Sequence, residues 1–213
     1  MFFIVSGSLF GLMSEKVLSH SSPLYGRRTR DLLLEQIPAG YAQEFLGWGL
    51  EDSLKAAMTV GGVPEYLRVA SKHAGYSEFV AHEFFRPEGY FLREPMFLLS
   101  QEFKEIKTYF SILNAIAFGN SKPTDIANFA GLNAREIYPY MELLINYGFV
   151  LRETPLLGDR KRGVYSLNEA FFDFWFNFVH RNRESIARSG FSPAKGALDS
   201  FFGRRFEALV RSN

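Results

Sequence analysis

Arginine is the residue type whose spacing in this chain most suggests chemistry. The stretch "SSPLYGRRTRD", Ser21 to Asp31, sets Pro23 and Gly26 around Tyr25 and follows them with Arg27, Arg28 and Arg30. Proline fixes φ and glycine frees it, so together they mark a stiff turn between two elements. Guanidinium groups on such a turn are either solvated or matched to phosphate, whose oxygens they can grip two at a time. Arg160, Lys161 and Arg162 form a second group of cations. The segment after His180 is a third, where Arg181, Arg183, Arg188, Lys195, Arg204, Arg205 and Arg211 outweigh Glu184, Asp199 and Glu207. Other chemistry is poorly provided for. The phosphate loop G-x-x-x-x-G-K-[ST] is absent, since Gly7 and Gly11 in "GSLFGLM" have the wrong spacing and no lysine comes after them in the motif's position. No G-x-G-x-x-G comes after a strand, and "SGSLFG" is not the G-x-S-x-G of a hydrolase elbow. His20, His73, His82 and His180 never fall at metal-ligand spacing and read as structural or surface groups. Glu102, Glu105 and Asp125 lie on helical faces with nothing to pair them as acid and base. The residues alone specify no enzyme.

Composition bounds the setting. With 213 residues, 47% of them apolar and 16% aromatic, the chain can bury one large core or two small ones. The absence of cysteine excludes a disulfide framework, a thiolate metal site and redox chemistry, and fits a reducing interior. A net charge of +1 gives no global attraction to nucleic acid, so any DNA contact has to rest on local patches. No apolar run approaches the roughly 20 residues of a membrane span, and "MFFIVSGSLFGLM" lacks the basic lead of a signal peptide. A cytoplasmic protein without a membrane partner is expected. The apolar opening reads as a buried strand with no sheet partners later in the chain, so the chain is expected to be the tail of something longer.

The elements that would position these residues are mainly helical. Residues 2 to 6 read as the strand, and Ser8 can cap a helix running to Ser19. After the arginine turn, "DLLLEQI", Asp31 to Ile37, is a short apolar run that fits strand or helix. Segments near 38–46, 50–59, 63–72, 76–86 and 88–100 then repeat apolar residues at three and four positions, the pattern of a helical bundle. Within it, "GGVPEYL" ends one helix at Gly61 and Gly62 and starts another at Pro64. From Lys104 the spacing predicts three more helices, "YFSILNAIAFG", "KPTDIANFAG" with Thr124 as cap, and "NAREIYPYMELLINYG". "FVLRETPL" and "RGVYSLN" then alternate as two strands around a basic tip. Three helices and a hairpin is the order of a winged helix-turn-helix. Its third helix would face a major groove, yet it offers one cation, Arg135, and Pro139 delays it. The tip, Arg160 to Arg162, is better suited to phosphate contact. "EAFFDFWFNFVH" reads as a buried junction between domains, and Ala194 to Arg211 as an amphipathic helix whose apolar side, Phe201, Phe202, Phe206 and Leu209, nothing further covers.

Taken in order, "IVSGSLFGLM", "SSPLYGRRT", "GGVPEYL", "YFSILNAIAFGNSKPTDIA", "VLRETPL" and "YSLNEAFFDFWFNFV" resemble the archaeal P-loop ATPases of the STAND and AAA+ kind. These end in a domain of uncharacterised function with a restriction-endonuclease-like fold. The resemblance covers nearly the whole chain. It implies the end of an α/β ATPase core at residues 1–37, a helical lid at 38–102, a winged helix at 103–168, and at 169–213 an aromatic linker helix with the first helix of a truncated nuclease-like domain. It further implies a sensor strand whose Ser6 or Ser8 faces the γ-phosphate, Arg27 or Arg28 meeting phosphate charge, and a G-x-P element, Gly62 to Pro64, whose proline packs on adenine with Tyr66 nearby. Glu207 would match the helix glutamate near the nuclease-like active site. The phosphate loop and the acidic strand that holds Mg²⁺ would lie ahead of Met1. ATP or ADP with magnesium is thus the cofactor implied for the parent protein, while this chain is expected to be inactive alone.

These readings lead to two functions of different classes. One is a nucleotide-switch fragment, carried by "SSPLYGRRT" and "GGVPEYL". The other is a DNA-binding regulator, carried by Arg135, Arg160 to Arg162 and the cations after His180. Self-association through apolar surface left uncovered, including the "FFDFWF" region, is expected in either case.

Overall fold

Proline at first helical positions and left-handed glycine after last ones divide the first half of the chain into short helices. In the computed structural model, which describes residues 20, 25–27, 29–30, 32, 34–154, 163–189 and 192–212, these are α1 (Ala42–Leu46), α2 (Leu50–Val60), α3 (Pro64–Ala70), α4 (Tyr76–Glu83) and α5 (Glu94–Glu102). The expected strand at 2–6 and the helix to Ser19 lie outside the described residues. A second group comprises α6 (Ile106–Ala117), α7 (Pro123–Ala130) and α8 (Ile137–Asn146), then β1 (Val150–Glu153) and β2 (Val164–Leu167). The strands pair antiparallel, Val150 opposite Leu167 and Glu153 opposite Val164. On its other side β2 lies along the α6–α7 connection, where the Tyr165 N–H donates to the Ser121 carbonyl at 2.9 Å. The chain is therefore mainly α-helical with one two-stranded hairpin.

Two helix starts differ from expectation in an instructive way. α7 is preceded by Lys122 and opens on Pro123, so Thr124 is inside the helix instead of capping it. Proline's fixed φ and missing N–H suit the first helical position, which leaves no need for a side-chain cap. Pro139 sits in the first turn of α8, and the residues before it form a separate turn in which the Glu136 N–H donates to Asn133 O at 2.9 Å.

The aromatic run begins as α9 (Ala170–Phe174), widens into a π turn over Trp175–Val179, tightens over His180–Asn182 and continues as α10 (Arg183–Ser189). In the π turn the His180 N–H reaches back five residues to Trp175 O. This segment lies between the two helical groups. Phe174 meets Phe84 at 5.0 Å between ring centres, Phe171 meets Phe91 at 5.3 Å, Phe172 meets Phe149 at 5.1 Å and Phe176 meets Phe110 at 5.0 Å. Most of these contacts are edge-to-face or tilted, the arrangement ring quadrupoles favour. The Trp175 indole N–H, which burial would otherwise strand, donates to Leu92 O at 3.2 Å.

The last helix, α11 (Lys195–Ser212), closes the structure. Phe201 packs on Phe174 and Phe178, each at 5.4 Å, and Phe202 on Tyr76 at 5.6 Å. Its apolar side is therefore covered at Phe201 and Phe202 and open at Phe206 and Val210, which are 51% and 60% exposed. The "FFDFWF" residues are buried throughout, contrary to the expectation that they form an open surface. Leu32 and Leu34 go the other way: 83% and 82% exposed, they belong to neither strand nor helix. Among the described residues no helix is long and apolar enough to cross a membrane.

Phe84 is fully buried and touches Phe79, Phe91, Phe171 and Phe174. Phe84→Ala should therefore cost about 3–5 kcal/mol in denaturant unfolding. Phe129, 46% exposed, gives the control: Phe129→Ala should cost less than about 1 kcal/mol.

Candidate functional site

The corner between α2 and α3 is the tightest place in the fold. Gly61 has φ +71°, a left-handed conformation that only glycine adopts without strain. Gly62 is in an ordinary conformation but is crowded: a Cβ there would lie 1.9 Å from the Ile37 carbonyl oxygen. The backbone arriving along residues 34–37 is bonded to this corner twice. The Ile37 N–H donates to Gly62 O at 2.8 Å, and the Gly62 N–H donates to Gln36 Oε1 at 3.0 Å. Pro64 comes next at the first position of α3 and is exposed. Tyr66, on the same turn, is enclosed by Phe91 and Phe171 and gives its hydroxyl proton to Glu94 Oε1 at 3.1 Å. Burial, reinforced by the charge of Glu94, pushes its phenol well above the usual range.

From this corner a polar chain runs into the aromatic segment. Gln36 Nε2 donates to both oxygens of Glu169, at 3.3 and 3.2 Å. One helical turn on, Asp173 is the charged residue within the aromatic run, its side chain 10% exposed. Arg204 Nη2 donates to both Asp173 oxygens at 3.2 Å, Arg205 Nη1 lies 3.9 Å from Oδ2, and Asn177 Nδ2 donates to Oδ1 at 2.9 Å. Burial raises both carboxyls above their ordinary values; Gln36 and Arg205 oppose this at Glu169, the two arginines and Asn177 at Asp173. Burial likewise lowers Arg205, whose side chain is 17% exposed and whose Nε is buried without a hydrogen bond. A cleft of about 560 Å³ opens beside these groups, walled by the end of α6, by β2 and by Ala208 and Leu209 of α11.

The residues singled out by sequence scatter around this geometry. Gly62 and Pro64 come together with Gln36 at the corner. Arg27 lies on an exposed turn, Tyr25–Arg27, and Arg135 is exposed in the turn before α8. Glu207, exposed on α11, pairs with Arg211 and lines the cleft. Ser6, Ser8, Arg28, Arg160, Lys161 and Arg162 lie outside the described residues. His73 pairs with Glu83 at 2.9 Å, and His180 stacks on Trp175, where burial lowers its pKa. Among the described residues no group of His, Cys, Asp and Glu could hold a metal ion. Sequence reasoning missed Gln36, Glu169 and Asp173. A lone aspartate inside six aromatic residues was the available signal, because such a charge has to find a cation.

Known proteins add one relative and no assignment. No family model matches the chain, and no solved structure does. The chain is 31% identical to an uncharacterized protein of Methanocaldococcus jannaschii over 213 aligned positions, which cover 98% of this chain and 48% of that protein. It thus spans about half the length of the relative it matches.

Glu169→Gln removes one titration while keeping the side chain's shape. Because the folded protein holds the Glu169 proton above the ordinary value of 4.5, it binds more protons than the unfolded chain in that window. The stability of the native sequence relative to the variant should be highest below about pH 4.5 and fall as pH rises through the elevated value. Paired denaturant titrations across this range measure the difference, and one that grows with pH contradicts the assignment.

Proposed function

We propose that this chain supplies the helical lid, the winged helix and the following helix of an archaeal P-loop ATPase of the STAND and AAA+ kind, and does not hydrolyse ATP by itself. ATP or ADP would bind between the lid and a core that joins it ahead of residue 38. The observation that carries this reading is the Gly61–Pro64 corner. Gly62 is packed under the arriving backbone while Pro64 stays exposed at the head of α3. A flat apolar ring therefore has a place to lie at the joint between the two. The order of elements supports the same reading: five helices, then three helices and an antiparallel hairpin. The jannaschii relative, about twice as long as this chain, has room for a nucleotide core and a nuclease-like domain. Hydrolysis needs groups for Mg²⁺ and for the β- and γ-phosphates, and the sequence carries no such loop.

Pure chain should release no phosphate from magnesium-ATP. Extended upstream in its coding frame, it should contain G-x-x-x-x-G-K-[ST] and bind nucleotide, and Pro64→Ala should weaken that binding about 5- to 10-fold, the worth of one apolar contact on a base. Turnover by the chain alone, or an upstream frame without the loop, overturns the proposal.

A second reading, a winged-helix DNA-binding regulator, is favoured by the hairpin, between whose strands Arg160, Lys161 and Arg162 fall in sequence. α8 supports it less: Tyr138, Pro139 and Glu142 are exposed there, and Arg135 lies before its start. A groove reader needs donors aimed at base edges. Any duplex affinity seen by fluorescence anisotropy at about 50 mM salt should fall steeply by about 200 mM. It should be lost on replacing Arg160, Lys161 and Arg162 with alanine and be unchanged by Arg135→Ala. Sequence-selective binding that depends on Arg135 would make the regulator the primary reading.

A further inference from the structure

We infer that Gln36, Glu169, Arg205, Asp173 and Arg204 form a latch through which the segment at residues 34–37 controls how firmly the last helix, α11, is docked. The two ends of the latch are far apart in sequence. Gln36 meets Glu169 across 133 positions and Asp173 meets Arg204 across 31. Gln36 uses its carbonyl oxygen on the Gly62 N–H and its amide N–H on Glu169, so its orientation is fixed from both sides. Glu169 and Asp173 stand one turn apart at the start of α9 and both act on Arg205, which faces them from α11. Arg204 completes the set on the outer side of Asp173.

The latch is poised to change state because its middle member is under-satisfied. Arg205 sits 3.9 Å from Asp173, its hydrogen bond to Asn168 O is long at 3.5 Å, and its Nε is buried without a partner. A buried cation held mainly by charge is sensitive to where those charges point. If residues 34–37 move, Gln36 leaves Glu169 with an unmet buried carboxylate, and Arg205 is the cation whose charge already acts on it. Turning toward Glu169 draws Arg205 from Asp173 and weakens the bond between α9 and α11. Gly62 makes the input all-or-none, since its close approach to Ile37 permits little intermediate sliding. The latch belongs to the chain itself and operates whether or not a nucleotide is the signal.

Amide hydrogen exchange of the nucleotide-free chain tests it, so its failure leaves the ATPase reading untouched. Gln36→Ala should speed exchange in α11 by at least about threefold while α6–α8 stay unchanged, and the increment should vanish in an Arg205→Ala background. Lys55→Ala, which breaks a surface pair with Glu51 on α2, should change neither. If Arg205→Ala does not fold, Glu169→Gln serves as the second cut of the same latch. Exchange that rises at Gly61 and Gly62 but not in α11, or effects of the two cuts that add independently, overturns the inference.

Discussion

Along the segment Ala170–Val179 every side chain but that of Asn177 is buried, and the two helical groups meet on its surface. The α1–α5 bundle closes over Phe171 and Phe174, α6 and the strands close over Phe172 and Phe176, and α11 covers what is left through Phe201. Rings supply most of this contact, and burying each removes a large apolar area from water. A segment so apolar on all sides is stable only inside protein. That condition forces α11 down onto it and brings Arg204 and Arg205 to Asp173, the residue whose charge the arrangement has to answer.

Local pattern carried most of the fold. The three- and four-residue spacing between 50 and 117, Pro64 and Pro123 at helix starts, and the alternation in "FVLRE" and "VYSL" each report an element that can be read within ten or twelve residues. "DLLLEQI" misled because apolar content was taken as burial, while Leu32 and Leu34 stay in water. The Gln36–Glu169 and Asp173–Arg204 contacts were illegible for another reason. They depend on how whole elements are placed, and no periodicity links residues 31 or 133 positions apart. The two glycines of "GGVP" were visible, but that Gly62 is required by a passing backbone and Gly61 by its dihedral angle is a distinction only the structure makes.

These features bear on one another in the proposed ATPase. The corner that would present Pro64 to a base is the corner that fixes Gln36, and Gln36 is bonded to the segment that carries the buried carboxylates. A change on the nucleotide side therefore has a short and electrostatically specific route to α11. In the DNA-regulator reading the same route would begin at whatever precedes residue 34 and end beside the hairpin, since the cleft next to Arg205 is walled by β2.

The π turn at Trp175–Val179 has a consequence for how this lineage can tolerate insertion and deletion. Reaching back five residues instead of four amounts to one extra residue threaded into an otherwise continuous helix. Removing one residue there would restore ordinary α-helical bonding, so the backbone would accept it. Everything downstream would nonetheless rotate by about 100°, swinging Val179 and Ile186 away from the core they now occupy. Length variation should accordingly be excluded from this stretch and displaced to the connections on either side of it.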